Sequence, residues 1–168
     1  MKALWLMVAA TSMLVFASVA SKRPKPAVHR RLDAERMRQA VETLMSRGYA
    51  GGILFLDVEG DDRFLQLRQE MTREGPATLR CDFPLTEWSR GYYPQVLSYV
   101  QAHSLKYREI EGASEVRVAG NAPDRTLVIE FGSDTTAALT FVDSVLRRVF
   151  EVDPVTHVSA TFSDVSPI

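Results

Sequence analysis

The sequence predicts an α+β domain in which three helices pack on one antiparallel sheet, preceded by an N-terminal hydrophobic helix. The predicted order is a helix, a three-stranded antiparallel meander, a second helix, two further strands and a C-terminal helix. Apolar residues alternate in several short runs, which is typical of half-buried strands, and recur three or four residues apart in other runs, which is typical of helices. The chain has 168 residues, 46% of them hydrophobic, which is enough for one core.

The N-terminal residues 3–20 carry no charge. As a helix they would span roughly 27 Å, close to the thickness of a hydrocarbon core. Two interpretations of residues 1–21 stay open. An uncleaved anchor would leave the C-terminal domain in the cytoplasm, because basic residues that flank a membrane span tend to stay inside. A signal segment cleaved after Ala20, at Ser18-Val19-Ala20, would release the domain to the periplasm or medium.

Residues 22–31 are a basic linker, since Pro24 and Pro26 disfavour a helix. Residues 1–31 hold six Lys and Arg and no acid, whereas the rest of the chain holds 14 basic and 21 acidic residues. A body with that excess of acid is a poor match for nucleic-acid phosphates, so we expect no nucleic-acid partner.

The predicted domain covers residues 32–152 and opens with a helix that Asp33 can cap and Gly48 can end. One face of this helix is apolar and is expected to face the core. It consists of Met37, Val41, Leu44 and Met45.

A strand–turn–strand pattern follows, with ILFLDV and RFLQLRQ on either side of EGDD. Its acids are Asp57, Glu59, Asp61 and Asp62. A calcium loop that began at Asp57 would need a glutamate at its twelfth position, where Arg68 stands. The acids are therefore interpreted as a solvated turn.

The third predicted strand, PATLRCDFPL, alternates clearly. Ala77, Leu79, Cys81 and Phe83 point one way, and Thr78, Arg80 and Asp82 point the other. Cys81, the single cysteine, is thus expected to be an inert packing residue rather than a nucleophile.

Aromatic residues cluster around the second helix, which Pro94 can open. Two interpretations stay open, a partner-binding surface or a plug at the edge of the core. The cluster consists of Trp88, Tyr92, Tyr93 and Tyr99.

Two strands and the last helix complete the domain. YREIEGASEVRVAG is expected to form a strand with a break at Gly112, and TLVIEFG is the next strand. Ser133 or Asp134 can cap the last helix, which carries an apolar stripe. Residues 153–168 are either an extra edge strand or a loose tail.

No nucleotide-binding, metalloprotease or nucleophile-elbow motif occurs. His29, His103 and His157 lie far apart in the sequence. We therefore predict no enzyme, no cofactor and no metal site.

The element order, with GGILFLDV, RFLQL, TLVIEF and VLRRVFEV, resembles the type III secretion chaperone-like fold, in particular the TY-Chap group, over residues 32–152. The resemblance implies a small, acidic, often dimeric protein that binds unfolded segments of partner proteins. It assigns no site residues. A membrane segment departs from it, since such chaperones are usually soluble.

The resulting hypothesis is a non-enzymatic, chaperone-like protein-binding module tethered to the bacterial membrane through residues 3–20, with an unknown protein partner and homodimerisation as an option. The partner would engage exposed hydrophobic faces or a strand edge. The alternative is a secreted or periplasmic small binding or immunity-type protein, and an enzyme whose site forms only on folding is the third hypothesis.

Overall fold

The computed structural model describes residues 34–46, 52–70, 75–111, 123–153 and 156–164. This part of the chain holds three helices and a six-stranded antiparallel sheet, so the predicted α+β class is confirmed. The elements are α1 (Ala34–Ser46), β1 (Gly52–Val58), β2 (Phe64–Glu70), β3 (Thr78–Leu85), α2 (Tyr93–Ala102), β4 (Lys106–Glu111), β5 (Arg125–Gly132), α3 (Thr135–Ser144), a π turn (Val145–Val149) and β6 (Val158–Asp164).

The strands lie in the order β4-β5-β3-β2-β1-β6. The tail, for which the sequence left two interpretations open, contributes strand β6, which pairs with β1 from Gly52↔Asp164 to Val58↔Val158. Within the described residues, β4 and β6 are therefore the two edges of the sheet.

The core lies between the helices and one face of the sheet, which we call the helix face. The predicted alternation is confirmed here, since Leu79, Cys81 and Phe83 are at most 1% exposed. Helix α1 buries most of its predicted stripe, and only Met45 is half-buried. Its end is tied to the sheet because Gln69 Nε2 donates to the Met45 carbonyl at 2.9 Å.

Helix α3 begins where predicted, because Asp134 Oδ1 accepts from the Ala137 amide at 2.9 Å. The sequence predicted one continuous helix, but the last turn is a π turn in which the Phe150 amide donates to the Val145 carbonyl at 2.8 Å. The wider turn leaves Phe150 in the core, 1% exposed.

The opposite face of the sheet carries none of the three helices and is called the helix-free face. The alternation in β3 predicted a sheet with one buried face, but the centre of the second face is buried as well. Gln66, Arg68, Arg80 and Asp82 are at most 8% exposed. Charged groups can be buried when they compensate one another, and Asp82 lies against both arginines.

In the described ranges no helix is both long enough and apolar enough to cross a bilayer. The predicted hydrophobic helix of residues 3–20, the basic linker and the predicted helix-end residues Asp33 and Gly48 lie outside those ranges.

Candidate protein-binding surface

Strand β4 is exposed along its whole length, on both faces of the sheet. It ends at Glu111, next to the predicted break at Gly112, which is itself outside the described residues. Tyr107 is 37% exposed and Ile110 is 39% exposed, and among the described residues these are the exposed large hydrophobic side chains. An edge strand with accessible apolar side chains can accept an added strand from a partner.

The helix face of β4 carries two acids that share one cation. Arg125 Nη1 donates to Glu109 Oε2 at 2.8 Å, and Arg125 Nη2 lies 3.7 Å from Glu111 Oε1. The Tyr93 hydroxyl also donates to Glu109 Oε2, at 3.2 Å. Burial and the Glu109 carboxylate raise the pKa of Tyr93, so this hydroxyl stays a donor. Among the described residues, this arrangement leaves one negative charge in excess on the helix face of β4.

The helix-free face of β4 carries the opposite imbalance. Lys106 Nζ lies 2.5 Å from Glu130 Oε2, and Arg108 Nε lies 3.6 Å from Glu130 Oε1. The hydrogen bond from Lys106 lowers the pKa of Glu130, which therefore stays ionised at neutral pH. In the part of the chain that the structure describes, two cations share one carboxylate, so the helix-free face of β4 has one positive charge in excess.

Further into the sheet, Asp82 joins two cross-strand neighbours, Arg68 on β2 and Arg80 on β3. Arg80 Nε lies 2.9 Å from Asp82 Oδ1, and Arg68 Nε lies 3.4 Å from Asp82 Oδ2. Burial raises the pKa of Asp82, and the two guanidinium groups oppose that shift. Arg80 also pairs with Glu70. Arg68, Arg80 and Asp82 thus form a buried ion cluster, with the partly exposed Glu70 at its edge.

Two of the predicted aromatic residues, Trp88 and Tyr92, pack around Phe150. The ring centroids are 6.1 Å apart for Trp88 and Phe150 and 5.1 Å apart for Tyr92 and Phe150. Trp88 also contacts Phe83 and Phe64, at 5.7 and 5.0 Å. These contacts hold the loop before α2 against the core.

The other two predicted aromatic residues, Tyr93 and Tyr99, lie on α2 itself. Tyr93 is buried, 6% exposed. Tyr99 donates its hydroxyl to Ser144 Oγ at 3.1 Å and stacks on His103 at a centroid distance of 3.9 Å. The structure therefore brings Trp88 and Tyr92 together at Phe150, links Tyr93 to β4 through Glu109, and leaves Tyr99 beside α3.

Arg63, at the end of the first hairpin, connects three elements, and the sequence analysis did not single it out. Its guanidinium pairs with Asp61 and donates to the Phe150 carbonyl. It also lies over the rings of Tyr92 and Phe150, at 6.0 and 5.9 Å from their centroids. An arginine three residues after Gly60 gives no sequence signal of such distant contacts.

Three of the four acids of the first hairpin, Glu59, Asp61 and Asp62, lie in the exposed turn as predicted, whereas Asp57 lies on β1. Asp61 Oδ1 accepts from the Arg63 amide at 3.0 Å, and the side-chain hydrogen bond from Arg63 lowers the pKa of Asp61. Asp57 is half-buried on the strand, and burial raises its pKa. Glu59 and Asp62 are exposed.

The predicted inert cysteine is in the core, since Cys81 is 0% exposed and burial raises the pKa of its thiol. His103 and His157 are exposed, at the end of α2 and before β6, and His29 lies outside the described residues. Across the described ranges, His, Cys, Asp and Glu side chains form no group of three suited to a metal ion.

The sequence analysis named a strand edge as one binding mode but did not identify β4. The signal was the charge pattern of KYREIE, in which four of the six residues are charged and both faces are polar, as is typical of an edge strand. Comparison with protein-family models, curated proteins and solved structures found no match to this chain.

Proposed function

We propose that this chain is a non-enzymatic, chaperone-like protein-binding module, tethered to the bacterial inner membrane by residues 3–20 with its domain in the cytoplasm. The observation that carries the proposal is strand β4, an edge strand exposed on both faces with Tyr107 and Ile110 accessible. Backbone donors and acceptors on such an edge bind a partner strand, and exposed side chains select it. The chaperone-like part comes from the resemblance over residues 32–152.

Three carboxylates of the described residues that a catalytic site could have used serve the fold instead. Asp61 binds Arg63, and Asp82 is held between two arginines. Glu109 accepts from Tyr93 and Arg125. These roles support a binding function for the domain rather than a reaction.

Photocrosslinking in the intact chain tests the binding function. A photoreactive phenylalanine analogue replaces Ile110 on β4 in one variant and Gln39, which is exposed on α1, in the control. We expect a discrete protein adduct from position 110 and none from position 39. Equal labelling at both positions, or none at position 110, would contradict the proposal.

The location is tested separately with a C-terminal tag and protease treatment of spheroplasts. A full-length, membrane-bound and protected chain is the expected result, because positive flanks favour the cytoplasmic side. A chain shortened by about 20 residues and released from the cells, consistent with cleavage at a small-x-small site, would instead favour the alternative, a secreted or periplasmic binding protein.

A further inference from the structure

The charge distribution on β4 indicates what kind of strand this edge would accept. On the helix-free face, charges alternate in sign over the three strands from β3 to the β4 edge. Arg80 on β3 lies opposite Glu130 on β5, and Glu130 lies opposite Lys106 on β4. The row ends at the sheet edge on a cation, and Arg108 adds a second cation there, 52% exposed. The residue that would continue this row on an added strand is an acid.

The helix face of β4 requires the opposite charge. Glu109 and Glu111 share Arg125, and the Glu111 side chain is 86% exposed. Opposite charges directly across two strands are favourable, and like charges are unfavourable. An added strand would therefore place bases on the helix face and acids on the helix-free face, with apolar residues opposite Tyr107 and Ile110.

A second copy of this chain cannot supply that pattern through its own β4. Two identical edge strands that pair antiparallel are related by a twofold axis normal to the sheet. Residues directly opposite each other lie on the same face, and faces alternate along a strand. An even-numbered residue therefore faces an even-numbered one, and an odd-numbered residue an odd-numbered one. With the axis at Tyr107, Lys106 faces Arg108 of the other copy. With the axis at Lys106 or Arg108, two identical cations face each other.

The remaining positions of the axis are no better. With the axis at Glu109 or Glu111, two identical carboxylates face each other. With the axis at Ile110, Glu109 faces Glu111 of the other copy. Every centre within β4 thus sets like charges against each other, which is how edge strands prevent self-association.

We propose that β4 binds an extended segment of a different protein as an added antiparallel strand, with acidic residues on its helix-free face and basic residues on its helix face. This inference rests on the proposed protein-binding function and narrows it to one edge and one class of partner. Read from its N-terminus, the segment has the pattern basic, apolar, basic, acidic, apolar, acidic.

Two labelled peptides test the inference against the full-length chain in detergent micelles. The matched peptide carries Lys-Val-Lys-Glu-Val-Glu. The control, Glu-Val-Lys-Glu-Val-Lys, has the same composition and apolar positions but exchanges the two end residues, which would face Glu111 and Lys106, and fits only half of the charges on β4 in either strand direction. By fluorescence anisotropy we expect the matched peptide to bind about tenfold more tightly.

A double variant, Lys106→Gln with Glu111→Gln, tests the site of binding. Both side chains are among the most exposed on β4, 80% and 86%, so the fold should tolerate the change, and circular dichroism checks this. In this variant the ratio of the affinities of the matched and control peptides should fall towards one. The ratio should stay unchanged in the control variant Glu42→Gln, on α1, which packs at the β1 side of the sheet.

Equal binding of the two peptides, or a preference that the double variant leaves unchanged, would overturn the inference. If Ile110 still crosslinks to a partner while the peptides are not distinguished, the binding function stands and the charge pattern is wrong. If sedimentation velocity shows a dimer that the double variant alters and Glu42→Gln does not, the occupant is a second copy and the inference fails.

Discussion

Replacing Asp82 by alanine should lower the free energy of unfolding more than most single substitutions on the helix-free face. Asp82 is 1% exposed and pairs with Arg68 and Arg80, which are themselves at most 8% exposed. The substitution removes a carboxylate but leaves both guanidinium groups buried, directly opposite each other on β2 and β3.

Removing one partner of a buried ion pair typically costs about 3–5 kcal/mol, because the remaining charge stays desolvated. Arg80 retains its pair with Glu70, so we place the expected loss for Asp82→Ala near the lower end, about 3 kcal/mol. The cost arises from the arginines that remain, not from a large net gain of the ion cluster. Burial, the largest influence on the pKa of Asp82, disfavours its charged form.

The assay is urea unfolding of the full-length chain in detergent micelles, followed by circular dichroism. The matched control is Asp143→Ala on α3, which removes an exposed partner of Arg147 in the π turn and should cost no more than about 0.5 kcal/mol. Adding Arg68→Leu to Asp82→Ala should restore part of the lost stability, because it removes one of the two buried cations.

The reasoning would be refuted if Asp82→Ala cost no more than Asp143→Ala. It would also be refuted if Arg68→Leu made the Asp82→Ala protein less stable still. The loss of stability in Asp82→Ala would then not come from the buried positive charge that remains.

Three further predictions concern other parts of the fold. Arg63→Ala should lower the free energy of unfolding by about 2 kcal/mol in the same assay, since it removes a charged hydrogen bond and ring contacts. Part of this effect should be lost as the pH falls below 3.8, the ordinary pKa of Asp61, and through its lowered folded-state pKa. The contact with Arg63 stabilises the fold only while Asp61 is ionised. Asp134→Ala should cost about 1 kcal/mol through loss of the α3 cap, measured likewise. Cys81 should resist iodoacetamide in the native chain and react fully after unfolding, as mass spectrometry can show.

The order of the elements could be predicted from the sequence because each element buries one side against a single core. The alternation of Leu79, Cys81 and Phe83 and the stripe of α1 report that burial locally, without knowledge of the neighbours. The cap at Asp134 is equally local, since donor and acceptor are three residues apart.

What could not be predicted depends on residues distant in sequence. Arg80 and Asp82 looked solvated because charged residues on one side of a strand usually are. Their burial follows from the register that sets Arg68 opposite Arg80, which no single segment encodes. The reach of Arg63 to Phe150 spans 87 residues. Likewise, β4 became a candidate site only when the strand order placed it at an edge.

The charges on β4 have two consequences that reinforce each other. Because Lys106 and Arg108 lie on one face and Glu109 and Glu111 on the other, every antiparallel twofold pairing centred within β4 brings like charges together, and the edge is protected from that self-association. The same separation leaves one unmatched charge on each face, and a partner strand of the right pattern can neutralise both. Specificity generally needs an element that repels the wrong partner as well as one that attracts the right one. On β4 the same four side chains supply both, so a substitution that weakens binding of the matched strand should also weaken the barrier to dimerisation.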